Sequence, residues 1–208
     1  SIHILAGEKR IVYILSDLEK FPMGFGLQSE NPRIATVEPQ NDRKAILITG
    51  NSVGNTSIYL RDLRNPDNFV EIEVVSDYLS GKFIEKGDSS STWINGGDLH
   101  IQEIIESELK EIAKNQTGIL YSFDKDTKAV EIDYSSSDYD NNKKAGTYEW
   151  DKDSLTLNFN NNISKHGFAV VNDHAIIIVL DFTEKYKSKY PNASVRGAKI
   201  QCFLSAIE

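Results

Sequence analysis

The sequence from residue 31 to residue 62, NPRIATVEPQNDRKAILITGNSVGNTSIYLRD, has the most specific pattern in the chain. Short β-rich runs alternate in it with turn residues. Gly50 and Gly54 stand where a β-protein needs a positive φ or the close approach of another segment. This pattern predicts short strands joined by tight turns, and it organises the interpretation of residues 1–77.

Seven short strands are predicted in all within residues 1–77, some before these glycines and some after them. Val70, Ile72 and Val74 alternate with Glu71 and Glu73, which predicts a strand with one buried and one solvated face. The seven runs cover residues 2–5, 10–16, 23–29, 33–37, 44–49, 56–60 and 69–75, with residues 38–42 as a loop. Seven strands in a segment of this length predict a β-sandwich.

The motifs of this segment resemble a known family. Asn31-Pro-x-Ile-Ala-Thr-Val is followed by Ile-x-Ile-Thr-Gly50-x-x-x-Gly54-x-Thr-x-Ile58 and by Ile72-x-Val74. Together they resemble the bacterial immunoglobulin-like domain of the invasin and intimin type. The resemblance implies an immunoglobulin-like β-sandwich over residues 1–77. It also implies a spacer or adhesion module on the bacterial surface, without catalytic residues.

Residues 78–208 are predicted to form a second, α+β domain. Its one amphipathic helix, residues 99–114, has apolar residues at helical spacing after Asp98, a predicted N-cap. Six strands follow, then a helical turn over residues 183–189 and a last strand over residues 195–204. The whole chain is therefore predicted to be mainly β, with two domains.

Two hairpins of this second domain repeat one pattern, Tyr121-Ser-Phe-Asp-Lys-Asp-Thr127 and Tyr148-Glu-Trp-Asp-Lys-Asp-Ser154. Repeated antiparallel hairpins predict a β-meander that can curl into a barrel. With the preceding helix, the second hairpin resembles the lipocalin-like, calycin-type domains of bacterial envelope proteins. This resemblance implies a carrier of a small apolar ligand, so a meander and a lipocalin-like barrel both remain open.

Composition limits the compartment and the partners. The chain carries 23 Lys and Arg against 31 Asp and Glu, a net charge of −8, which disfavours a nucleic-acid partner. No run of apolar residues approaches the length of a membrane-spanning helix, which needs about 20 of them. The single cysteine, Cys202, is predicted to be a buried thiol on the last strand. The chain starts without Met or a signal peptide, and we expect a missing native N-terminus, with a possible lipid anchor upstream of Ser1.

Two aromatic residues in predicted polar loops are the candidate ligand contacts. Trp93 and Tyr139 are expected to be exposed, where an aromatic ring stacks on a sugar or anchors a protein partner. Asp138 and Asp140 lie in an oxygen-rich stretch without an internal lysine, which makes them the candidate calcium ligands. The Asp-Lys-Asp pairs are interpreted as turns in which Asp bonds its own backbone.

The sequence contains no recognisable catalytic motif, and no catalytic residue or cofactor is predicted. The four histidines lack Cys or His neighbours at ligand spacing, and there is no nucleophile elbow or phosphate loop. We therefore expect a non-catalytic protein of the bacterial cell envelope, on the outer surface, secreted or in the periplasm, that binds a protein or a glycan. The alternatives are a lipocalin-like carrier and an envelope hydrolase.

Overall fold

A computed structural model of the chain describes residues 1–14, 24–40, 44–134, 142–151, 153–172 and 174–207. These residues are mainly β, with sixteen strands, two α-helices and one turn of 3-10 helix at Gly87–Ser89. The strands are β1 Ile2–Leu5, β2 Lys9–Tyr13, β3 Phe25–Ser29, β4 Ala35–Gln40, β5 Ala45–Gly50, β6 Gly54–Asp62, β7 Asn65–Asp77, β8 Gly81–Glu85, β9 Ser91–Asn95, β10 Leu120–Asp124, β11 Ala129–Asp133, β12 Lys143–Trp150, β13 Ser154–Phe159, β14 Asn162–Asn172, β15 Ala175–Asp181 and β16 Gly197–Ile207. The helices are α1 Leu99–Asn115 and α2 Thr183–Lys189.

The chain divides into two compact units. The first contains Ser1–Leu79 together with Val170–Asp173, and the second contains Ser80–Ala169 and His174–Glu208.

The first unit is built from two sheets that share one apolar core. The four-stranded sheet has the order β1-β7-β6-β3, with β1 parallel to β7, and the three-stranded sheet has the order β2-β5-β4. Both sheets contribute side chains to the core, whose fully buried members are Ile4, Ala35, Ile46, Ile48, Ile58 and Val74. Burial of these aliphatic side chains is the main source of this unit's stability.

The two motif glycines have the predicted roles. Gly50 ends β5, and a Cβ there would lie 2.7 Å from the carbonyl oxygen of Leu5. Gly54 starts β6 with a φ of 144°, and a Cβ there would lie 2.9 Å from Cδ1 of Ile34. Gly50 therefore permits a close backbone crossing, and Gly54 permits a conformation that L side chains rarely adopt.

Hydrogen bonds join the loop at residues 31–34 to the turn at residues 51–56. Thr56 Oγ1 accepts a hydrogen bond from the Asn31 backbone nitrogen at 2.9 Å. Asn51 Nδ2 donates to the Pro32 carbonyl at 2.8 Å, and Ser52 Oγ donates to the Arg33 carbonyl at 2.7 Å. The two halves of the sequence motif therefore form one structural feature, a pair of turns that satisfy each other's polar groups.

The second unit contains an eight-stranded barrel. Its sheet has the order β15-β14-β13-β12-β11-β10-β8-β16-β9, and β15 also pairs with β16, which closes eight of the nine strands into a ring. The ninth strand, β9, lies outside the ring and pairs with residues Gly197–Gln201 of β16. The sequence left open whether the meander curls into a barrel, and the structure shows a closed one.

Side chains fill the barrel interior. Phe123 makes edge-to-face contacts with Phe83 and Tyr148, at ring-centroid distances of 6.1 and 5.0 Å. Trp150 packs on Phe168 at 5.8 Å. A cavity of several hundred Å3 would expose the side chains that line it, whereas Phe83, Phe123 and Tyr148 are only 2–4% exposed.

Helix α1 has the predicted start and the predicted apolar face. The Asp98 side chain accepts a hydrogen bond from the Ile101 backbone nitrogen at 2.9 Å, which makes it the N-cap. Ile105, Leu109 and Ala113 are its buried residues. Helix α2 spans the residues predicted as a helical turn. Within the described part of the chain, neither helix has the length and apolar character needed to cross a membrane.

Two sequence predictions about loops are wrong. Trp93, expected in a polar loop, lies in β9, because a one-sided pairing with β16 gives this polar segment a strand geometry. Strand β4 also continues into the loop predicted over residues 38–42, through Pro39 to Gln40. Proline is tolerated there because β4 is an edge strand, which pairs on one side alone.

Candidate functional site

The candidate binding site is built around Trp93 on the outer face of the barrel unit. Trp93 is 46% exposed and lies in the edge strand β9. Gly197, on the neighbouring β16, lies beneath the indole ring. A Cβ at this position would overlap Cζ3 of the ring and lie 2.8 Å from Cη2. The missing side chain of Gly197 therefore creates the space that holds the exposed ring against the sheet.

A row of three side chains crosses the neighbouring strands β9, β16 and β15, and Trp93 is its first member. Lys199 is the residue of β16 opposite Trp93, and Asp181 is the residue of β15 opposite Lys199. Lys199 Nζ lies 5.8 Å from the centre of the Trp93 ring and 3.3 Å from Asp181 Oδ2. The indole therefore has a cation over its ring, and that cation is itself held by a carboxylate.

These side chains line a cleft of about 440 Å3 in which Phe182, Lys185 and Arg196 also take part. Lys185 lies in α2, with its Nζ 5.8 Å from the Phe182 ring and 5.4 Å from the Tyr186 ring. The backbone nitrogen of Arg196 donates to the Asn95 carbonyl at 2.8 Å, which ties the segment before β16 to the end of β9. The cleft thus combines an aromatic side chain with charged groups from the sheet, from α2 and from the segment before β16.

Asp181 is ionised, and its carboxylate accepts hydrogen bonds from within the chain. Burial acts to raise its pKa, but hydrogen bonds from Thr183 and the contact with Lys199 outweigh burial, so the pKa lies below its ordinary value. The Thr183 backbone nitrogen donates to Asp181 Oδ1 at 2.9 Å, and Thr183 Oγ1 accepts from the Ala198 nitrogen at 3.0 Å. Asp181 and Thr183 therefore fasten the start of α2 to β16 beneath the cleft.

The other predicted contacts divide into two groups. Tyr139, Asp138 and Asp140 lie outside the described residues. The Asp-Lys-Asp turns are described. Asp124 Oδ1 accepts from the backbone nitrogens of Asp126 and Thr127 at 2.9 and 3.1 Å. Asp151 Oδ1 accepts from Asp153 and Ser154, both at 2.9 Å. The interpretation of these pairs as backbone-bonded turns is confirmed.

Two observations on the described residues concern metal binding and hydrolysis. In them, no three His, Cys, Asp or Glu side chains are arranged to hold a metal ion. His166 Nε2 lies 3.0 Å from Ser164 Oγ, and burial lowers the pKa of His166. A hydrolytic dyad of this kind needs a third group that orients the imidazole. Within the described chain, no carboxylate forms an ion pair or hydrogen bond with His166.

One buried acid stands apart from the cleft. Glu85, at the end of β8, is 1% exposed, and burial raises its pKa to about 7. Among the described residues, no nitrogen or oxygen atom donates a hydrogen bond to either of its carboxyl oxygens. The Cys202 thiol is the weak donor beside it. Cys202 is itself buried, as predicted, and burial raises its pKa.

The sequence predicted an exposed Trp93 but not the residues that surround it. Asp181, Arg196 and Lys199 are far from Trp93 in the chain, and strand pairing brings them to the same face. The only local signal was the polar side of the last strand, where Lys199 and Gln201 alternate with apolar residues. Gly197 gave no signal until its partner strand was known.

Comparisons of the chain with protein-family models, with curated proteins and with solved structures found no match.

Proposed function

We propose that this chain is a non-catalytic binding protein of the bacterial envelope, and that its barrel unit binds a glycan in the Trp93 cleft. The observation that carries the proposal is the half-exposed indole held against Gly197 and flanked by fixed charges. The bacterial envelope is inferred from the resemblance of residues 31–62 to immunoglobulin-like surface domains.

A sugar ring suits this chemistry. Its C–H face packs on the electron-rich face of an indole, while its hydroxyl groups need hydrogen-bonding partners around the rim. Trp93 provides the aromatic face, and Asp181, Arg196 and Lys199 provide the polar rim. The ring is fixed in advance by its packing on Gly197, so ordering it costs little on binding.

A glycan is favoured over a protein as the partner because of the size of the site. A cleft of about 440 Å3 accommodates one or two sugar rings. Stable protein interfaces bury roughly 800 Å2 on each partner and use several aromatic or Arg anchors. Trp93 is the one large apolar side chain among the cleft residues that is strongly exposed.

For the first unit we propose the role of an immunoglobulin-like spacer. Its strand orders β2-β5-β4 and β7-β6-β3 correspond to the B-E-D and G-F-C orders of immunoglobulin sandwiches. The first strand departs from the constant-type pattern, because β1 pairs with β7 and not with β2. A spacer needs a stable core and no binding chemistry, and the shared core of the two sheets is consistent with that role.

The carrier alternative draws its support from the closed eight-stranded barrel. Lipocalin-like carriers hold their ligand inside such a barrel. Here the interior positions are occupied by packed aromatic and aliphatic side chains, so a ligand would have to displace them. The cleft on the outer face therefore explains binding with less rearrangement.

The test is binding of the intact chain to a printed array of neutral, uronic-acid, sialylated and sulfated oligosaccharides, followed by calorimetry on the hits. We expect Trp93→Ala to weaken binding at least tenfold, which corresponds to about 1.4 kcal/mol. Phe69→Ala is the matched control, because Phe69 is 50% exposed and lies on β7 of the first unit. An array without hits, or a Trp93→Ala variant with unchanged affinity, would contradict the proposal.

A further inference from the structure

The acidic side chains of the Trp93 cleft are already paired with cations of the chain. Asp181 faces Lys199 at 3.3 Å and also accepts the Thr183 backbone hydrogen bond. Glu184 forms an ion pair with Lys187 at 2.7 Å. Each carboxylate therefore has its charge balanced without a ligand.

One cation of the cleft is not balanced in this way. Within the described chain, Arg196 forms no ion pair, whereas the charge of Lys185 acts on Glu108 of α1 and helps to lower the pKa of that carboxyl. Lys185 is held over the Phe182 and Tyr186 rings, which attract its charge without neutralising it. Arg196 is exposed. The cleft therefore presents net positive charge to a ligand.

This local charge is opposite to the charge of the molecule. The chain carries −8 overall, so an anion meets repulsion over most of the surface and attraction at this cleft. A cationic cleft on an acidic protein favours a ligand that carries negative charge of its own, since a neutral sugar gains hydrogen bonds there but no charge attraction.

The Arg196 side chain lies next to the end of β9. Its Nε lies beside Gly96, where a Cβ would come within 3.3 Å of that nitrogen, and its backbone is tied to Asn95. A guanidinium offers parallel N–H donors whose geometry matches the two oxygens of a carboxylate or a sulfate. Arg196 and Trp93 line the same cleft.

We propose that the cleft selects acidic sugars, with the ring on Trp93 and the carboxylate or sulfate group on Arg196, Arg196 being the specificity-determining residue. This inference rests on the proposed glycan-binding function and specifies its substrate class.

The experiment compares three pairs of sugars that differ in charge. They are trigalacturonate and its methyl ester, sialyllactose and its carboxyl-reduced alcohol, and 6-sulfolactose and lactose, titrated into the intact chain. We expect the acidic member of at least one pair to bind at least tenfold tighter than its neutral mate. Arg196→Gln should abolish that ratio, and Arg196→Lys should restore part of it. The control Lys110→Gln makes the same change in net charge on α1, in an ion pair with Glu106, and should leave the ratio unchanged.

The outcomes separate this inference from the proposed function. Neutral sugars that bind as tightly as acidic ones, with a loss of binding in Trp93→Ala, would overturn the charge selection and leave the glycan site intact. An acidic preference that survives in Arg196→Gln would overturn the role of Arg196. Absence of binding by all six sugars would overturn both proposals. Preference in the sulfate pair alone, or in the carboxylate pairs alone, identifies which anion the guanidinium accepts.

Discussion

Glu85 places a carboxyl group in an interior that is lined by aromatic and aliphatic side chains and by the Cys202 thiol. Its pKa is raised to about 7 from an ordinary 4.5, because burial disfavours the charged form. Between these two values the unfolded chain has lost the proton while the folded chain retains it. The free energy of unfolding therefore falls as pH rises through this window, by roughly 3 kcal/mol.

Glu85→Gln tests this linkage. The amide has a similar shape and does not ionise, so the variant should be more stable than the parent at pH 8, by up to roughly 3 kcal/mol, and nearly equal to it at pH 5. Chemical denaturation at both values measures the difference. Glu103→Gln is the control, since Glu103 is exposed on α1. An equal effect of Glu85→Gln at both pH values would contradict this account of Glu85.

Glu85 also shows what the sequence does not reveal about a single residue. It follows Lys82-Phe-Ile in a short run with no distinctive polar pattern, and its burial results from pairing with β16, where Leu204 lies opposite. Trp93 is the opposite case. An aromatic residue among serines and threonines predicts an exposed ring, and the ring is exposed although its segment is a strand and not a loop.

Among the elements, those that carry a local signal were predictable. Helix α1 has apolar residues at helical spacing and a capping Asp98, and it forms within one residue of its predicted limits. The glycine pair at 50 and 54 likewise marked the end of β5 and the start of β6. Strand β9 lacks such a signal, because three of its five residues are Ser, Thr and Asn and it pairs with one strand alone.

The contact between β9 and β16 makes a prediction at this scale. Gly197 has no positive φ, so alanine fits its backbone, but the added methyl group overlaps the Trp93 ring. This methyl group would force the half-exposed ring out of its position on β16, and no buried side chain has to move. We therefore expect Gly197→Ala to keep the fold while it lowers sugar affinity about tenfold, or about 1.4 kcal/mol.

Calorimetric titration and circular dichroism measure the two effects of Gly197→Ala separately. The control is Ser91→Ala, which removes the hydrogen bond from Ser91 Oγ to Gln201 Oε1 on the same pair of strands outside the cleft. Unchanged affinity in Gly197→Ala would show that the position of the indole does not matter for binding.

At the scale of the whole molecule, the sequence predicted a mainly β chain but not the closure of its barrel. The successive hairpins from β10 to β14 follow chain order and could be predicted from their turns. Closure depends on β16, which pairs with β15 beside it in the chain and with β8 near the start of the unit. Such long-range pairing leaves no mark in local periodicity.

The same long-range pairing assembles the cleft. It brings Trp93 to Lys199 and Asp181, and it places Arg196 in the same cleft of this acidic protein. The central claim is that this cleft, and not the barrel interior, binds a sugar. The chain has two tryptophans, and they report on the two locations, because Trp150 packs on Phe168 in the barrel.

Fluorine NMR of the 5-fluorotryptophan-labelled chain distinguishes binding in the cleft from binding in the barrel interior most directly. The Trp150→Phe variant assigns the two signals. Titration with the oligosaccharides of the array should shift the Trp93 signal in a saturable manner and leave the Trp150 signal in place. A saturable shift of the Trp150 signal alone, or binding without any shift at Trp93, would contradict the account.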